Sequence, residues 1–152
     1  MKRELQEKLF KKYPVIFSRR KLSKQETAMC YGISCGDGWY YLIDALCEKI
    51  NDIIKSKNVQ YENFLIREND EDSEEEVTRS WGYSRHESVY ADQVKSKFGS
   101  LRFYLHKSNH SKEIKGAISM AEKMSQYICE NCGEQKEKLK EHKCKNLFKT
   151  GG

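Results

Sequence analysis

Proline is nearly absent: Pro14 is the single one in 152 residues. No apolar run approaches the ~20 residues that a membrane-crossing helix needs, and the chain does not open on a charged-then-apolar leader. Walker and Rossmann glycine patterns are missing, as are internal repeats and any Gly/Ser- or Pro-rich linker. These absences argue against a membrane partner, against the common nucleotide-hydrolysing and dinucleotide-binding folds, and against two full domains. A chain of this length is expected to build one ordinary core.

What is present is heavily charged. Asp, Glu, Lys and Arg make up 34% of the chain and hydrophobic residues 38%, enough to fold under a strongly solvated surface. A net charge of +5 tolerates an anionic partner without demanding one. With no leader, the six cysteines read as reduced thiols or metal ligands, and a cytoplasmic location follows.

Leu5, Leu9, Phe10 and Tyr13 recur at helical spacing, and Pro14 stops that first helix. Trp39, Leu42, Ile43, Leu46, Ile50, Ile53 and Ile54 form one face of a long amphipathic helix, with Asp37 as its expected N-cap and Cys47 buried beside the stripe. "VQYENFLIR" (59–67) reads as a strand, and the acidic block 68–76 as a solvated loop. From Val89 the period becomes two. Val94, Ser96 and Phe98, then Leu101, Phe103 and Leu105, face inward in a hairpin turning at Gly99-Ser100. Lys95, Lys97, Arg102, Tyr104 and His106 occupy its outer face. Ser111 caps a third helix with Ile114, Ala117, Ile118, Ala121, Met124 and Ile128 inside. The predicted fold is α+β: a small antiparallel sheet packed against two main helices over residues 1–128, and a C-terminal zinc-knuckle-like module over 129–152.

That module carries Cys129, Cys132, His142 and Cys144 in "CENCGEQKEKLKEHKC". A Cys-x-x-Cys-Gly step brings two thiolates to one tetrahedral ion, and the polar loop that follows has no apolar core of its own, so a structural zinc explains it. The His-x-Cys spacing is tight. This leaves Cys30 or Cys35 as alternative fourth ligands, and a redox dithiol as the alternative chemistry.

"CGDGW" (35–39) offers a second site. Exposed N–H groups at a helix start, with Gly36 and Gly38 permitting close approach, suit a phosphate. The candidate ligand-binding residues are Asp37, Gly38, Trp39 and Tyr40, joined by Lys95, Lys97, Arg102 and Tyr104. Trp39, Tyr40 and Tyr104 can stack on a base, and the cations can pair with phosphates. Two readings oppose this: the Asp37 carboxylate competes with an anion, and Trp39 fits the helix core. No spacing joins Asp37, Asp92, His86 or His106 into catalytic machinery.

"ETAMCYGISCGDGWYYLIDALC" (26–47), "VKSKFGSLRFY" (94–104) and "ISMAEKMSQYICENCG" (118–133) resemble, in this order, a family of small bacteriophage and prophage proteins with CGDGW, KFGxLRFY and CxxCG motifs. Lys-rich sequence stands where that family continues with tryptophan and a second Cys/His pair. The resemblance implies a phage origin and action in the host-cell cytoplasm. The expectation is a non-catalytic protein that counters host defence by sequestering a small anionic ligand such as a cyclic or adenine nucleotide, with pockets between subunits of a homo-oligomer admitted. The alternatives are a zinc-containing nucleic-acid-binding accessory protein, favoured by Lys136, Lys138, Lys140, Lys143, Lys145 and Lys149, and an inhibitor that binds a host protein directly.

Overall fold

The computed structural model describes residues 1–68, 89–106 and 110–144. The acidic run at 69–76, His86, Lys145, Lys149 and the terminal glycine pair lie outside the described residues. The elements are α1 (Arg3–Lys12), β1 (Ile33–Ser34), α2 (Tyr40–Glu68), β2 (Ala91–Lys97), β3 (Ser100–Leu105) and α3 (Lys112–Ser125), with short 3-10 turns between α1 and α2. No helix among the described residues is long and apolar enough to cross a membrane.

α1 ends at Lys12, two residues before Pro14, with Lys11 and Lys12 in its negative last turn and Leu9 and Phe10 buried. α2 presents Ile43, Leu46 and Ile50 to the core, and Cys47 lies fully buried beside them, where burial pushes its thiol pKa up. The helix then continues through 59–67, where a strand was expected. No glycine or proline separates Ile54 from that stretch, and once a helix is nucleated each further residue adds a bond. Propagation overrides the β-branched and aromatic composition there. α3 begins as expected, its Ile114 N–H donating to Ser111 Oγ at 3.4 Å. Ile114 and Ala121 are buried inside it, but Met124 is exposed.

The sheet runs in the order β1-β2-β3. It is mixed, not purely antiparallel: β1 pairs parallel with β2 through Ile33↔Val94 and Ser34↔Lys95. Two residues carry no alternation for a sequence to display. β1 is held from outside instead, Ile33 N–H donating to Gln6 Oε1 at 2.8 Å. The hairpin's two-residue turn is Phe98-Gly99, one residue earlier than expected, closed by Lys97↔Ser100. Both turn residues have positive φ, as a primed turn requires, and Phe98 points to solvent instead of inward. The other edge of the sheet is covered by α3: Leu101 N–H donates to Ser125 Oγ at 2.8 Å and Phe103 N–H to Glu122 Oε1 at 3.1 Å. Val94, Leu101 and Phe103 close the core against Leu9, Phe10, Phe17, Met29, Trp39 and Ile43.

Candidate metal centre and ligand face

After α3 the chain folds back on itself. Ile128 bridges Gln135, Cys129 N–H donates to Glu134 O at 2.8 Å, and Gly133 N–H returns to Cys129 O at 2.9 Å. Gly133 has φ 79°, the left-handed value that favours glycine at this turn. The turn sets Cys129 and Cys132 side by side, and the returning segment adds His142 and Cys144. The four ligand atoms lie within 4.8 Å of one another. A tetrahedral zinc with bonds of roughly 2.0–2.3 Å needs ligand separations of roughly 3.3–3.8 Å, so the cluster fits a metal such as zinc after small adjustments. Cys129 Sγ and Cys144 Sγ are 3.3 Å apart. His142 Nε2 lies 3.0 Å from Glu134 Oε2, the kind of carboxylate contact that orients a ligating imidazole. Cys30 and Cys35 stand apart from the cluster: the Cys30 thiol donates to Thr27 O at 3.3 Å, and burial pushes the Cys35 thiol up to about 12.

The thiols titrate against one another. Burial opposes ionisation of Cys129, but the N–H groups of Cys132 and Asn131 and the neighbouring thiols outweigh it and hold its pKa below the ordinary value. Cys144 is pushed up to about 12 by its bond to Cys129, by burial and by the adjacent sulfur charge. A pocket that crowds ionisable sulfurs this closely calls for a cation.

The turn's backbone seats on the CGDGW segment. Gly38 N–H donates to Glu130 O at 2.7 Å. The Glu130 carboxylate accepts from Gly36 N–H at 3.0 Å and from Ser96 Oγ at 2.7 Å. Trp39, wholly buried, donates Nε1–H to Ile128 O at 3.0 Å. A Cβ at Gly38 would lie 2.8 Å from Glu130 O and closer still to Cys129 O. The glycines thus let one backbone approach another. Asp37 does not cap α2: it starts a single 3-10 turn, and its Oδ1 accepts from Lys2 N–H at 2.6 Å. Tyr40 is half-buried, edge-on to Tyr41 at 5.2 Å between ring centres.

The remaining candidates share the sheet's outer face, where the register sets Lys95 opposite Arg102 and Gln93 opposite Tyr104. Lys95 Nζ stands 5.7 Å from the centre of the exposed Tyr104 ring. Arg102 is half-buried, bonded to Ser100 Oγ at 3.1 Å and Leu101 O at 3.2 Å. Lys97 is exposed.

Two features had no local sequence signal. An open cleft of about 350 Å³ lies between residues 24–28 and the outer face, lined by Lys24, Gln25, Thr27, Asp92, Gln93 and Tyr104 among others. Beside it Asp92 accepts from Arg19 Nε and faces His106 Nδ1 at 2.9 Å. The Arg19–Asp92 contact spans 73 residues, too far for any spacing rule to reach.

Compared with family models, with curated proteins and with solved structures, the chain matches none.

Proposed function

We propose that the protein is a non-catalytic binder whose C-terminal turn is closed by a structural zinc ion and whose outer sheet face takes a small anionic, nucleotide-type ligand. The metal reading rests on four donors, three sulfurs and one imidazole, gathered within 4.8 Å. Four protein ligands fill a tetrahedral zinc and leave no open position for a reacting water, which favours structure over catalysis. When bound, the ion supplies charge compensation for the thiolates.

The observation that carries the ligand reading is the Lys95–Tyr104 pair, 5.7 Å from ammonium to ring centre, with Tyr104 also lining the cleft. A ring bearing a cation and facing an open cleft suits a base that stacks and a phosphate that pairs. Lys24 is the cation of the cleft wall, which it shares with the Glu26 and Asp92 carboxylates. The resemblance to phage proteins supports a phage origin and the host cytoplasm, and for a non-catalytic phage protein there the role we infer is to counter host defence by holding a nucleotide signal without converting it.

The test is to incubate the purified protein with nucleotide extracts of defence-activated bacteria, wash, heat, and analyse the released molecules by mass spectrometry. An unaltered nucleotide, lost from a Lys95→Ala/Tyr104→Ala protein that melts like the wild type, supports the reading. A chemically altered nucleotide makes the protein an enzyme. An empty eluate, or oligonucleotide binding that falls steeply with salt, rejects the ligand.

A further inference from the structure

Among the described residues, only two other than glycine adopt the left-handed backbone: Phe98, φ 53°, and Leu139, φ 55°. Both side chains are large, apolar and exposed, Phe98 by 86% and Leu139 by 52%. They are also neighbours, since a Cβ on Gly99 would lie 3.5 Å from Leu139 Cδ2. A primed hairpin turn favours Asn, Asp or Gly at the position Phe98 holds. Phenylalanine there combines backbone strain with an apolar ring in water, and neither contributes to the stability of the isolated chain.

The apolar surface continues from this tip. Leu139 N–H donates to Gln126 O at 3.0 Å, beside Tyr127. Met120 and Met124 follow at i and i+4 near the end of α3, and Tyr127 in the turn just after it, exposed by 67%, 48% and 42%. The core face of α3 is formed by Ile114 and Ala121, so this is a second stripe that the fold leaves outside.

Its rim is cationic. Lys97 Nζ stands 5.4 Å from the Phe98 ring centre, and Lys123, Lys136 and Lys138 occupy α3 and the metal loop. Nearby carboxylates are engaged, Glu137 with Lys140 and Glu122 with Phe103 N–H and Arg102. A second copy of the chain would set lysines against lysines. A nucleic acid would satisfy the lysines and could stack on Phe98 and Tyr127, but the three aliphatic side chains Met120, Met124 and Leu139 would find no partner in a base or a phosphate.

We propose that Phe98, Leu139, Met120, Met124 and Tyr127 form a docking surface for another protein, which presents an amphipathic helix with apolar anchors and an acidic rim. Exposed methionines suit such a surface because they repack around an incoming side chain. The surface uses neither Lys95 nor Tyr104, the pair that carries the ligand reading; Lys97 alone is shared with the sheet face.

The probe is a fluorescent amphipathic peptide of about 20 residues with Leu and Phe on one face and Glu on the other, compared with a twin carrying Lys for Glu. Anisotropy with the zinc-loaded full chain is expected to give at least about tenfold tighter binding of the acidic peptide, a difference of ~1.4 kcal/mol. Phe98→Asp and Met120→Asp, each at a solvent-facing position, are expected to lower that affinity at least about tenfold without lowering the melting temperature. Equal binding of the twins, binding untouched by either variant, or displacement of the peptide by an oligonucleotide or by self-association of the chain overturns the proposal. Lys95→Ala/Tyr104→Ala is expected to leave peptide binding unchanged.

Discussion

Gly38 lies where the metal-binding turn meets the rest of the molecule. Its N–H donates to Glu130 O at 2.7 Å, and its α-carbon faces carbonyls of the turn. A methyl group there must push the turn away, because backbone oxygens cannot swing aside as a side chain would. Gly38→Ala is therefore expected to destabilise the protein by about 1–3 kcal/mol, in the range of an overpacked core. Since the displaced backbone carries Cys129, zinc affinity is expected to fall as well. Thermal melting and competition with a chromogenic chelator check both, and a protein that melts normally and keeps its zinc would show that the turn seats elsewhere. At this scale the sequence was informative but ambiguous. Gly-Asp-Gly-Trp announces a close approach without naming what approaches, and a carbonyl 92 residues away by number satisfies it as well as a phosphate does.

At the level of elements, periodicity was a good guide wherever a segment was long and one-sided. The stripes of α2 and α3 and the alternation of β2 and β3 each leave a pattern of several residues, and each element formed. The misreadings share a cause. β1 is two residues long and held by Gln6 from α1, so its existence is a tertiary fact. The stretch 59–67 has strand-like composition but inherits the helix before it. Phe98 was assigned to the inner face because its parity matched Val94, whereas the turn takes it out of the alternation. The covering of β3 by α3 was equally invisible, because it depends on the wholly buried Ser125, which accepts from Leu101 N–H and donates to Glu122 O at 2.6 Å. Ser125→Ala leaves a buried N–H without a partner and is expected to cost about 1–3 kcal/mol. Hydrogen exchange at Leu101 is expected to rise in step. If neither changes, the edge is satisfied by water and α3 covers it only sterically.

For the whole molecule, an ion held by Cys129, Cys132, His142 and Cys144 would decide how firmly the last described segment is attached. An ion at a hundredfold excess over its Kd contributes about 2.7 kcal/mol to the folded state, which for about 150 residues is roughly 5–11 °C in melting temperature. Chelation, or Cys132→Ser, is expected to produce a fall of that order, read by calorimetry with metal content measured in parallel. A metal-free wild type with the same melting temperature contradicts the structural role. The pH dependence has a definite sign. Without the ion Cys144 holds its proton, its pKa pushed up to about 12; ligation requires thiolate, so uptake releases protons and affinity weakens as pH falls. Metal addition in weak buffer is expected to acidify the solution, and chelator competition is expected to strip the ion more readily at about pH 6 than at about pH 8.

The triple engagement of Glu130 also bears on how the chain is made. Its carboxylate meets Gly36 across 94 residues, and Trp39 meets Ile128 across 89. On the ribosome, residues 36–39 emerge long before their acceptors are synthesised. Until then the Trp39 indole N–H and the Gly36 and Gly38 amides have water as their partner. Closure of these contacts comes late, and loop-closing over such separations is slow.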